Sequence, residues 1–518
     1  MTAHPAGSDA AKPRARGLLV ALGLAVVAHF AAGRLVFEAG VDVGAARRGL
    51  AVTVFVATCW LNAALPIGAA SLLPLALFPL LGVQPMASVA RSYSDPILWM
   101  FLGGFVLARA IERFGLHRRL ALHVLVGVGL KPRRIVLGFL FAALLISMWI
   151  SNTATALMLM PIGVALVDKI ERQGVLGEVD ARRFGVAVLL GIAYGCSVGG
   201  LGSPIGTPTN LVFFARDNFG ALQRMGAPDV SFARWMLAFA PMTLVLGLVV
   251  AWLLNRVLLR VPGVADPHVG DQLRVELRGL GRMRPAERRV LMLFSATVAL
   301  WVLRGPLGPW PGWASLLGLP KGFVQDGAVA VLMACVAFVV PSGERERPTL
   351  MDWPTAVQIP WDMYFLLAGG FALAQTPDAT GLSRALASSL GPSVQTLPMV
   401  ASLAVIVVAM TLLSEVATNV AIASLMMPVL LATARVAHVD PRALMVPATV
   451  AASFGFALPI ATPPNAVVFA TGKIQLRDML RAGVVVDLAC CVVLVVFCVV
   501  WAFPVLGISL REVPAWWK

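Results

Sequence analysis

The sequence predicts an all-α polytopic membrane protein with about 11 transmembrane helices, in which two inverted repeats each contain a re-entrant hairpin and a broken helix. Three observations lead to this prediction: extreme hydrophobicity, motifs that occur twice, and a different distribution of basic residues around each copy. Of the 518 residues, 59% are hydrophobic and only 13% are charged, with a mean hydropathy of +0.85. This composition excludes an ordinary soluble domain and makes the lipid bilayer the expected surroundings.

Apolar stretches close to the roughly 20 residues that span a bilayer recur along the chain. We expect membrane spans near 18–37, 50–83 (two helices), 97–113, 185–200, 234–255, 289–304, 323–340, 361–375 and 483–503. The predicted organisation is a cytoplasmic N-terminal tail (1–17), a first half with the first repeat (18–255), a basic cytoplasmic linker (256–288), the second repeat (289–505) and a C-terminal tail (506–518).

The net charge of +15 does not indicate a nucleic-acid partner, because Lys and Arg lie in short tracts between apolar segments, such as 131–134 and 281–289. Basic tracts beside spans mark the cytoplasmic side of a membrane. They predict a multi-pass protein of the cell membrane, in a bacterium the inner membrane, with a cytoplasmic N-terminus. The cysteines lie in apolar stretches and the histidines lack ligand spacing. Without a nucleophile and base pair, we expect no enzyme.

Three motifs occur twice, in the same order and at nearly constant spacing. The pairs are FLGGFVLARAIERFGL (101–116) with LAGGFALAQTPDATGL (367–382), SMWISNTATALMLMP (147–161) with SEVATNVAIASLMMP (414–428), and SPIGTPTNLVF (203–213) with LPIATPPNAVVF (458–469). Ordered recurrence of this kind indicates a duplicated unit.

The basic residues are distributed differently around the two copies. Residues 113–183 of the first copy contain ten Lys or Arg, whereas 380–450 of the second contain three, among them Arg384. Around the second copy the cations lie at the opposite end, with GERER (343–347) before the GGF helix. Since basic loops stay on the cytoplasmic side, the copies are predicted to have opposite orientations. Inverted repeats are typical of secondary transporters, whose substrates bind near the membrane midplane.

Each copy has a segment that is too short for two ordinary spans. Basic residues flank 135–168 on both sides and should stay together, yet each arm would have only about 16 residues, or roughly 24 Å of helix, against a hydrocarbon core of about 30 Å. We therefore predict re-entrant hairpins at about 135–168 and 397–434. Their tips would be Ser151–Thr153 and Thr418–Val420.

The third motif predicts a broken helix in each copy, at about 185–215 and 443–472, because its prolines and glycines interrupt regular helix. Unwound backbone at membrane depth is tolerated only inside protein or beside a wet cavity, where its carbonyl groups can bind a cation. Together with the first tip this predicts a hard-oxygen site suited to Na⁺. The candidate ligands are Ser147, Ser151, Asn152 and the backbone near Gly206.

Other interpretations of these polar residues stay open. Ser, Thr and Asn also hold membrane helices together by hydrogen bonds. Glu415, which has Met148 as its counterpart in the first copy, could carry protons, as intramembrane acids often do, or could be hydrogen-bonded support at a hairpin end. An ion channel would need a continuous polar pathway, whereas polarity here is concentrated in two clusters, as alternating access requires.

In SNTAT, TPTN, TPPN, the GGF helices and the closing RDMLRAGVVVDL, the sequence resembles the divalent anion/sodium symporter family, solute carrier family 13 of the ion transporter superfamily, over residues 50–505. The resemblance implies a homodimer of eleven-helix protomers, each with a scaffold and a transport domain that moves as an elevator. It also implies symport of small anions such as succinate, malate, citrate or sulfate, usually driven by Na⁺. An anion exchanger or an H⁺-coupled transporter of the same fold is the alternative.

The resemblance also assigns residues by position, without an organic cofactor. It implies a first Na⁺ site at Ser147, Ser151, Asn152 and Gly206, a second at Ser414, Ala417, Asn419 and Ala461, and substrate contacts at Asn152, Thr153, Thr207, Asn419, Val420, Thr462 and Pro463. The tip and break motifs that carry these residues contain no Arg or Lys. The anion would therefore be held by amides, hydroxyls, helix N-termini and the bound cations.

The second tip departs from the family pattern. Thr418, Asn419 and Val420 stand where the family has SNT, so a methyl group replaces the hydroxyl expected to face a carboxylate. A hydrogen bond to a charged group is worth roughly 1.5 to 3 kcal/mol, about one to two decades of affinity. The departure predicts weaker binding of C4-dicarboxylates and leaves sulfate or a monocarboxylate as alternative substrates.

Overall fold

The computed structural model describes residues 11–34, 37, 41–129, 131–173, 176–263, 271–306, 309–320, 322–381, 397–510 and 512–517. Within these ranges the regular structure is helical, apart from one isolated bridge between Pro341 and Thr349. The predicted all-α class is confirmed. The first ten residues of the predicted N-terminal tail, residues 264–270 of the predicted linker and Arg384 lie outside the described residues.

The helices of the two halves follow a common order. The first half contains α1 Ala11–Ala31, α2 Val43–Asn62, α3 Ile67–Leu80, α4 Met86–Ser92, α5 Pro96–Arg113, α6 Leu116–Val128, α7 Pro132–Ser147, α8 Asn152–Gln173, α9 Glu178–Gly199, α10 Pro208–Phe214, α11 Phe219–Arg224 and α12 Phe232–Trp252. The second contains α13 Asp271–Gly279, α14 Pro285–Val302, α15 Trp313–Leu316, α16 Asp326–Val339, α17 Trp353–Ala356, α18 Trp361–Ala379, α19 Met399–Val416, α20 Asn419–Ala437, α21 Pro441–Ala451, α22 Pro463–Phe469, α23 Leu476–Phe497 and α24 Phe503–Leu506.

Equivalent elements recur in this order. A GGF helix (α5, α18) is followed by a helical hairpin (α7 with α8, α19 with α20), a helix that breaks (α9 to α10, α21 to α22) and a long closing helix (α12, α23). The second repeated motif thus coincides with a turn between two helices, and the third with an interruption of helix. The re-entrant character of the hairpins and the predicted domain bounds stay predictions. The opposite orientation of the two halves stays a prediction.

Proline and acidic caps set where the key helices begin. Pro132 and Pro441 lie in the first turn of α7 and α21, where a backbone N–H group has no partner within the helix. The side chain of Asp440 accepts a hydrogen bond from the N–H group of Arg442 at 2.9 Å. Such a cap satisfies one of the free donors at a helix start. The caps therefore fix the points at which the first hairpin and the second breaking helix begin.

Six helices in the described part of the chain are long and apolar enough to cross a membrane, or up to seven if Met86–Ser92 and Pro96–Arg113, bent by 40°, form one span. The chain is thus a multi-pass membrane protein, while a total of about 11 spans stays a prediction. The hairpin arms α8, α19 and α20 are among the six. α8 is longer than the sequence suggests because it continues past Lys169 to Gln173. Helix length alone therefore does not decide between a re-entrant arm and a span.

The two GGF motifs allow close helix crossings at equivalent positions. A Cβ atom on Gly103 would lie 2.5 Å from the carbonyl carbon of Ala330, where α5 packs on α16. A Cβ atom on Gly369 would lie 2.5 Å from the carbonyl oxygen of Ser71, where α18 packs on α3. Close backbone approach through small residues is a common way for membrane helices to associate. Both crossings therefore require glycine.

The two halves pack against each other in a crossed arrangement. α8 and α9 of the first half contact α22, and α20 of the second half contacts α10. At the end of α8, Asp168 and Glu171 form ion pairs with Lys473 at 2.7 and 2.8 Å. Burial tends to lower the pKa of Lys473, but the two carboxylates outweigh burial and raise this pKa. Each hairpin is thus packed against the broken helix of the other half.

Candidate functional site

The first hairpin turns between the end of α7 at Ser147 and the start of α8 at Asn152. The side-chain amide of Asn152 lies 2.5 Å from Ser147 Oγ. With its NH₂ group turned inward, the same amide donates to the carbonyl oxygens of Cys196 at 3.2 Å and Gly206 at 3.3 Å. Asn152 therefore joins the hairpin tip to α9 and to the first break, residues 203–207.

The backbone of the first break is packed too closely for a side chain. A Cβ atom on Gly206 would lie 2.6 Å from the carbonyl oxygen of Gly200 and 3.0 Å from that of Met148. Ser203 Oγ donates a hydrogen bond to the same Met148 oxygen at 2.5 Å. Carbonyl oxygens of the tip and the break thus lie close to the Asn152 amide. Oxygen ligands of this kind are those that a hard cation prefers.

Ser151 lies at the tip, but its side chain already has one partner. Its hydroxyl accepts a hydrogen bond from the N–H group of Ala154 at 3.2 Å and so caps α8. The residue also borders a cavity of about 10 Å³, together with Trp149 and Ile205. Because a hydroxyl oxygen has two lone pairs, the cap leaves one for another ligand. The predicted role of Ser151 in the first cation site stays a prediction.

The second hairpin meets the second break, residues 452–462, in a similar way. Ser414 Oγ donates to the carbonyl oxygen of Ala452 at 2.7 Å. A Cβ atom on Gly455 would lie 3.4 Å from the carbonyl oxygen of Ser414 and 3.2 Å from the Cβ of Ala461. The structure therefore brings two of the predicted second-site residues, Ser414 and Ala461, to the same part of the break.

Polar atoms of the second tip and break are left without partners. The side-chain oxygens of Thr418, Asn419 and Asn465 are buried and accept or donate no hydrogen bond. Ala417, just before the tip, can offer only its backbone carbonyl oxygen. A buried polar group without a partner costs about 1 to 3 kcal/mol. Oxygen atoms that need a partner and lie in one region fit a small hard cation such as the predicted Na⁺.

Asn210 and Asn465 hold the two breaks in shape, a role that the motif pattern did not reveal. Each amide nitrogen donates to two backbone carbonyl oxygens at equivalent positions of the two copies. The acceptors are Gly200 (3.0 Å) and Ser203 (2.8 Å) for Asn210, and Gly455 (2.9 Å) and Leu458 (3.0 Å) for Asn465. Asn210 ends TPTN and Asn465 ends TPPN. This shared position in the two motifs is the sequence feature that could have indicated their common role.

The predicted substrate residues lie at helix starts. Thr207 and Thr462 are buried residues that immediately precede α10 and α22, whereas Pro463 is exposed. Val420 is buried and Thr153 is half-buried, each in the first turn of a hairpin arm. α8 and α20 have 22 and 19 residues, so the positive ends of their dipoles lie at the two tips and favour an anion. Substrate contact by these residues stays a prediction.

Glu415 supports the second break. Its two carboxylate oxygens accept hydrogen bonds from the N–H groups of Ala457 at 2.8 Å and Leu458 at 2.9 Å. Backbone N–H groups in an unwound segment lack helical partners, so side chains must satisfy them when they are buried. Of the two roles that the sequence leaves open for Glu415, this geometry fits structural support.

An apolar helical chain that sets two polar hairpin tips against two helix breaks has the construction of a secondary transporter. The chain belongs to the sodium:sulfate symporter family, because the family model described as "Sodium:sulfate symporter transmembrane region" matches residues 19–508. This match confirms the family that the sequence motifs indicate.

Curated relatives are similar along most of their length. A "Sodium-dependent dicarboxylate transporter SdcS" from Staphylococcus saprophyticus is 35% identical, with 89% of this chain and 87% of the relative covered. A "Sodium-dependent high-affinity dicarboxylate transporter 3" from Caenorhabditis elegans is 34% identical, with 89% and 84% covered. Their names agree with the expectation of a transporter that is not an enzyme. Among solved structures, the Alcanivorax borkumensis YdaH transporter aligns with a TM-score of 0.49 and 15% identity, covering 94% of this chain and 96% of that one.

Proposed function

We propose that the protein is a secondary active transporter that couples Na⁺ to the uptake of small anions, with dicarboxylates as the first class to test. One observation carries this proposal: each hairpin tip lies against a helix break, and the second tip carries buried oxygens without partners. The relatives named as sodium-dependent dicarboxylate transporters support both the ion and the substrate class.

The tips and breaks would hold two cations. The first site consists of Ser147, Ser151, Asn152 and the carbonyl group of Gly206, and the second of Ser414, Ala417, Asn419 and Ala461. Bound Na⁺ supplies positive charge next to the anion, which matters because the tip motifs (147–161, 414–428) and the break motifs (203–213, 458–469) contain no Arg or Lys. An anion then binds better when Na⁺ is present, which is the thermodynamic basis of symport.

The anion would lie between the two tips. Asn152 and Asn419 supply amide donors, and Thr153, Thr207 and Thr462 supply hydroxyl groups. Pro463 and Val420 complete the lining of the anion site, and Val420 presents only methyl groups to the anion. The first tip therefore offers a hydroxyl group at Thr153, whereas the equivalent position of the second tip, Val420, offers none.

The crossed packing supports an elevator-type motion. α8 and α9 pack on α22, and α20 packs on α10, so the hairpins and breaks of both halves can move together as one transport domain. In a homodimer, the scaffold of each protomer would stay fixed while its transport domain moves. The inverted repeats would give the outward-open and inward-open states related structures. We place the chain in a bacterial inner membrane with a cytoplasmic N-terminus, on the distribution of its basic loops.

Uptake by purified protein in proteoliposomes tests this function. Radiolabelled succinate, citrate, sulfate and a monocarboxylate are each offered with a Na⁺ gradient or a pH gradient imposed separately. We expect saturable uptake that an inward Na⁺ gradient drives. Uptake that requires only an anion inside would establish an exchanger, and current that does not saturate with concentration would establish a channel. Either outcome would replace the symport proposal.

Val420→Thr should increase the affinity for C4-dicarboxylates. The added hydroxyl replaces a methyl group of similar volume and can donate to the second carboxylate, which is worth about one to two decades of affinity. The measurement is the succinate concentration for half-maximal Na⁺-driven uptake. Val420→Ala is the matched control, since it changes the same side chain without adding a donor. Equal succinate affinity in wild type and Val420→Thr would exclude this role for residue 420.

A further inference from the structure

The two breaks differ in exposure at equivalent positions. Ile205 of the first break and Ile460 of the second occupy the same place in SPIGTPTN and LPIATPPN. The side chain of Ile460 is 76% exposed, whereas Ile205 is half-buried. Two carbon atoms of Ile205 lie 3.9 Å from the place that a Cβ atom on Gly104 of α5 would occupy. A GGF helix therefore covers the first break, while the second break is uncovered at this position.

The two GGF helices differ in the same way. Gly370 of α18 is the equivalent of Gly104, but a Cβ atom there would lie 2.5 Å from Ser424 Oγ of the hairpin arm α20. The short helix α10 packs on both GGF helices, whereas α22 packs mainly on α8 and α9. Alternating access moves one bundle of helices against another around the binding site. A difference of this kind between two copies is what one end state of that motion would produce.

Asp95 connects a GGF helix to the segment that follows the first broken helix. The residue immediately precedes α5 and is 5% exposed. Its Oδ1 atom accepts a hydrogen bond from the N–H group of Ile97 at 3.0 Å and so caps α5. Its Oδ2 atom accepts one from the N–H group of Arg216, just after α10, at 2.9 Å. A buried carboxylate depends on such bonds, because without them its charge is left unsatisfied.

The second of these bonds requires α10 to lie beside α5. α10 packs on the hairpin arm α20, so it belongs with the hairpins and breaks, whereas α5 packs on α16. A shift of one group against the other would separate the N–H group of Arg216 from Asp95. On the elevator-type motion proposed above, we infer that Asp95 is a latch, a residue whose bond is present in one end state only. Through Arg216 it holds the transport domain where the first break is covered and the second is uncovered.

The bond can be removed from either side. Asp95→Asn keeps an oxygen that can cap α5, but it places an amide donor where Arg216 needs an acceptor. Arg216→Pro removes the N–H donor itself, and Ala215 already has φ −52° and ψ 149°, which a residue before proline favours. Arg216→Ala is the matched control, because it removes the side chain and keeps the N–H group. Asp95→Asn and Arg216→Pro combined should have no larger effect than either alone, since both delete one bond.

Cysteine labelling measures how far each break is covered. Ile205→Cys and Ile460→Cys are made in a Cys335→Ser background, because Cys335 is exposed and the other native cysteines are buried. Purified protein in lipid nanodiscs is treated with a water-soluble maleimide, and the rate is followed by mass spectrometry. We expect fast labelling at 460 and slow labelling at 205. A site covered in the main state is labelled from the minor state, so its rate follows the population of that state.

The latch predicts which variants change these rates. Asp95→Asn and Arg216→Pro should each raise the labelling rate of Ile205→Cys by about 10-fold or more, the equivalent of one bond to a charged group. Arg216→Ala should leave the rate unchanged. An unchanged rate in both Asp95→Asn and Arg216→Pro would overturn the latch. A rise that extends to the buried native Cys490 would also overturn it, because the bond would then only maintain the fold.

The labelling requires neither Na⁺ nor an anion, so the latch and the proposed function can fail separately. If reconstituted protein takes up no anion but the Ile205→Cys rate responds to Asp95→Asn and Arg216→Pro, then the proposed transport activity is wrong and the latch stands. If Na⁺-driven uptake is present and the rate responds to neither substitution, then the latch is wrong and the symport stands.

Discussion

Asn152→Ala is expected to abolish Na⁺-stimulated uptake in proteoliposomes at the Na⁺ concentrations that half-saturate the wild-type protein. The substitution removes the amide that contacts Ser147 and that reaches the carbonyl oxygens of Cys196 and Gly206. The tip and the first break then lose their connection, and the proposed first cation site loses a ligand. A lost bond to a charged group costs about 1.5 to 3 kcal/mol, or about one to two decades in Na⁺ affinity. The measurement is the Na⁺ concentration for half-maximal uptake.

Asn255→Ala is the matched control for this prediction. Asn255 is also buried, and its amide also donates to a backbone carbonyl group, that of Arg133 at 3.2 Å. This contact lies at the start of α7, at the opposite end of the helix from Ser147. We expect Asn255→Ala to lower thermal stability without a change in half-maximal Na⁺. If Asn152→Ala retains Na⁺ stimulation, then Asn152 is not a ligand of the first cation site.

Features with a strictly local cause were predictable from the sequence. The break after α9 follows from Pro204 and Pro208 together with the glycines around them, because closely spaced prolines remove backbone donors and glycine weakens a helix. The turn before Asn152 follows from polar residues between two apolar arms. Gly103 and Gly369 could be paired by their motifs, although only the structure gives their different neighbours, Ala330 and Ser71.

Features that depend on packing between distant segments were not predictable. A motif ending in asparagine does not tell which carbonyl groups the amide of Asn210 or Asn465 will contact. The end of α8 was also missed, because charged residues such as Glu171 can extend a helix beyond the apolar stretch that hydropathy detects. Position in three dimensions, rather than residue type, decides each of these roles.

Gly199→Ala should disrupt the first half of the site through packing alone. Gly199 ends α9, and a Cβ atom there would collide with the backbone of Leu144 in α7, with its Cα atom only 2.6 Å away. Neither backbone can move without displacing the first break or the hairpin tip, which follow directly in sequence. Overpacking of this kind costs about 1 to 3 kcal/mol, and occasionally more. We expect a lower unfolding temperature and a loss of Na⁺-driven uptake.

The same helix supplies the control. Gly191 also faces α7, but a Cβ atom there would lie 3.6 Å from the carbonyl oxygen of Val136, which is ordinary contact. Since alanine is favoured over glycine inside a helix by about 1 kcal/mol, Gly191→Ala should leave stability and uptake unchanged or slightly improved. Both variants add one methyl group to one interface, so their difference isolates the close approach at Gly199. If the two variants have the same unfolding temperature and the same uptake, then α7 and α9 can separate without loss. The position of the hairpin tip would then not depend on the contact between these two helices.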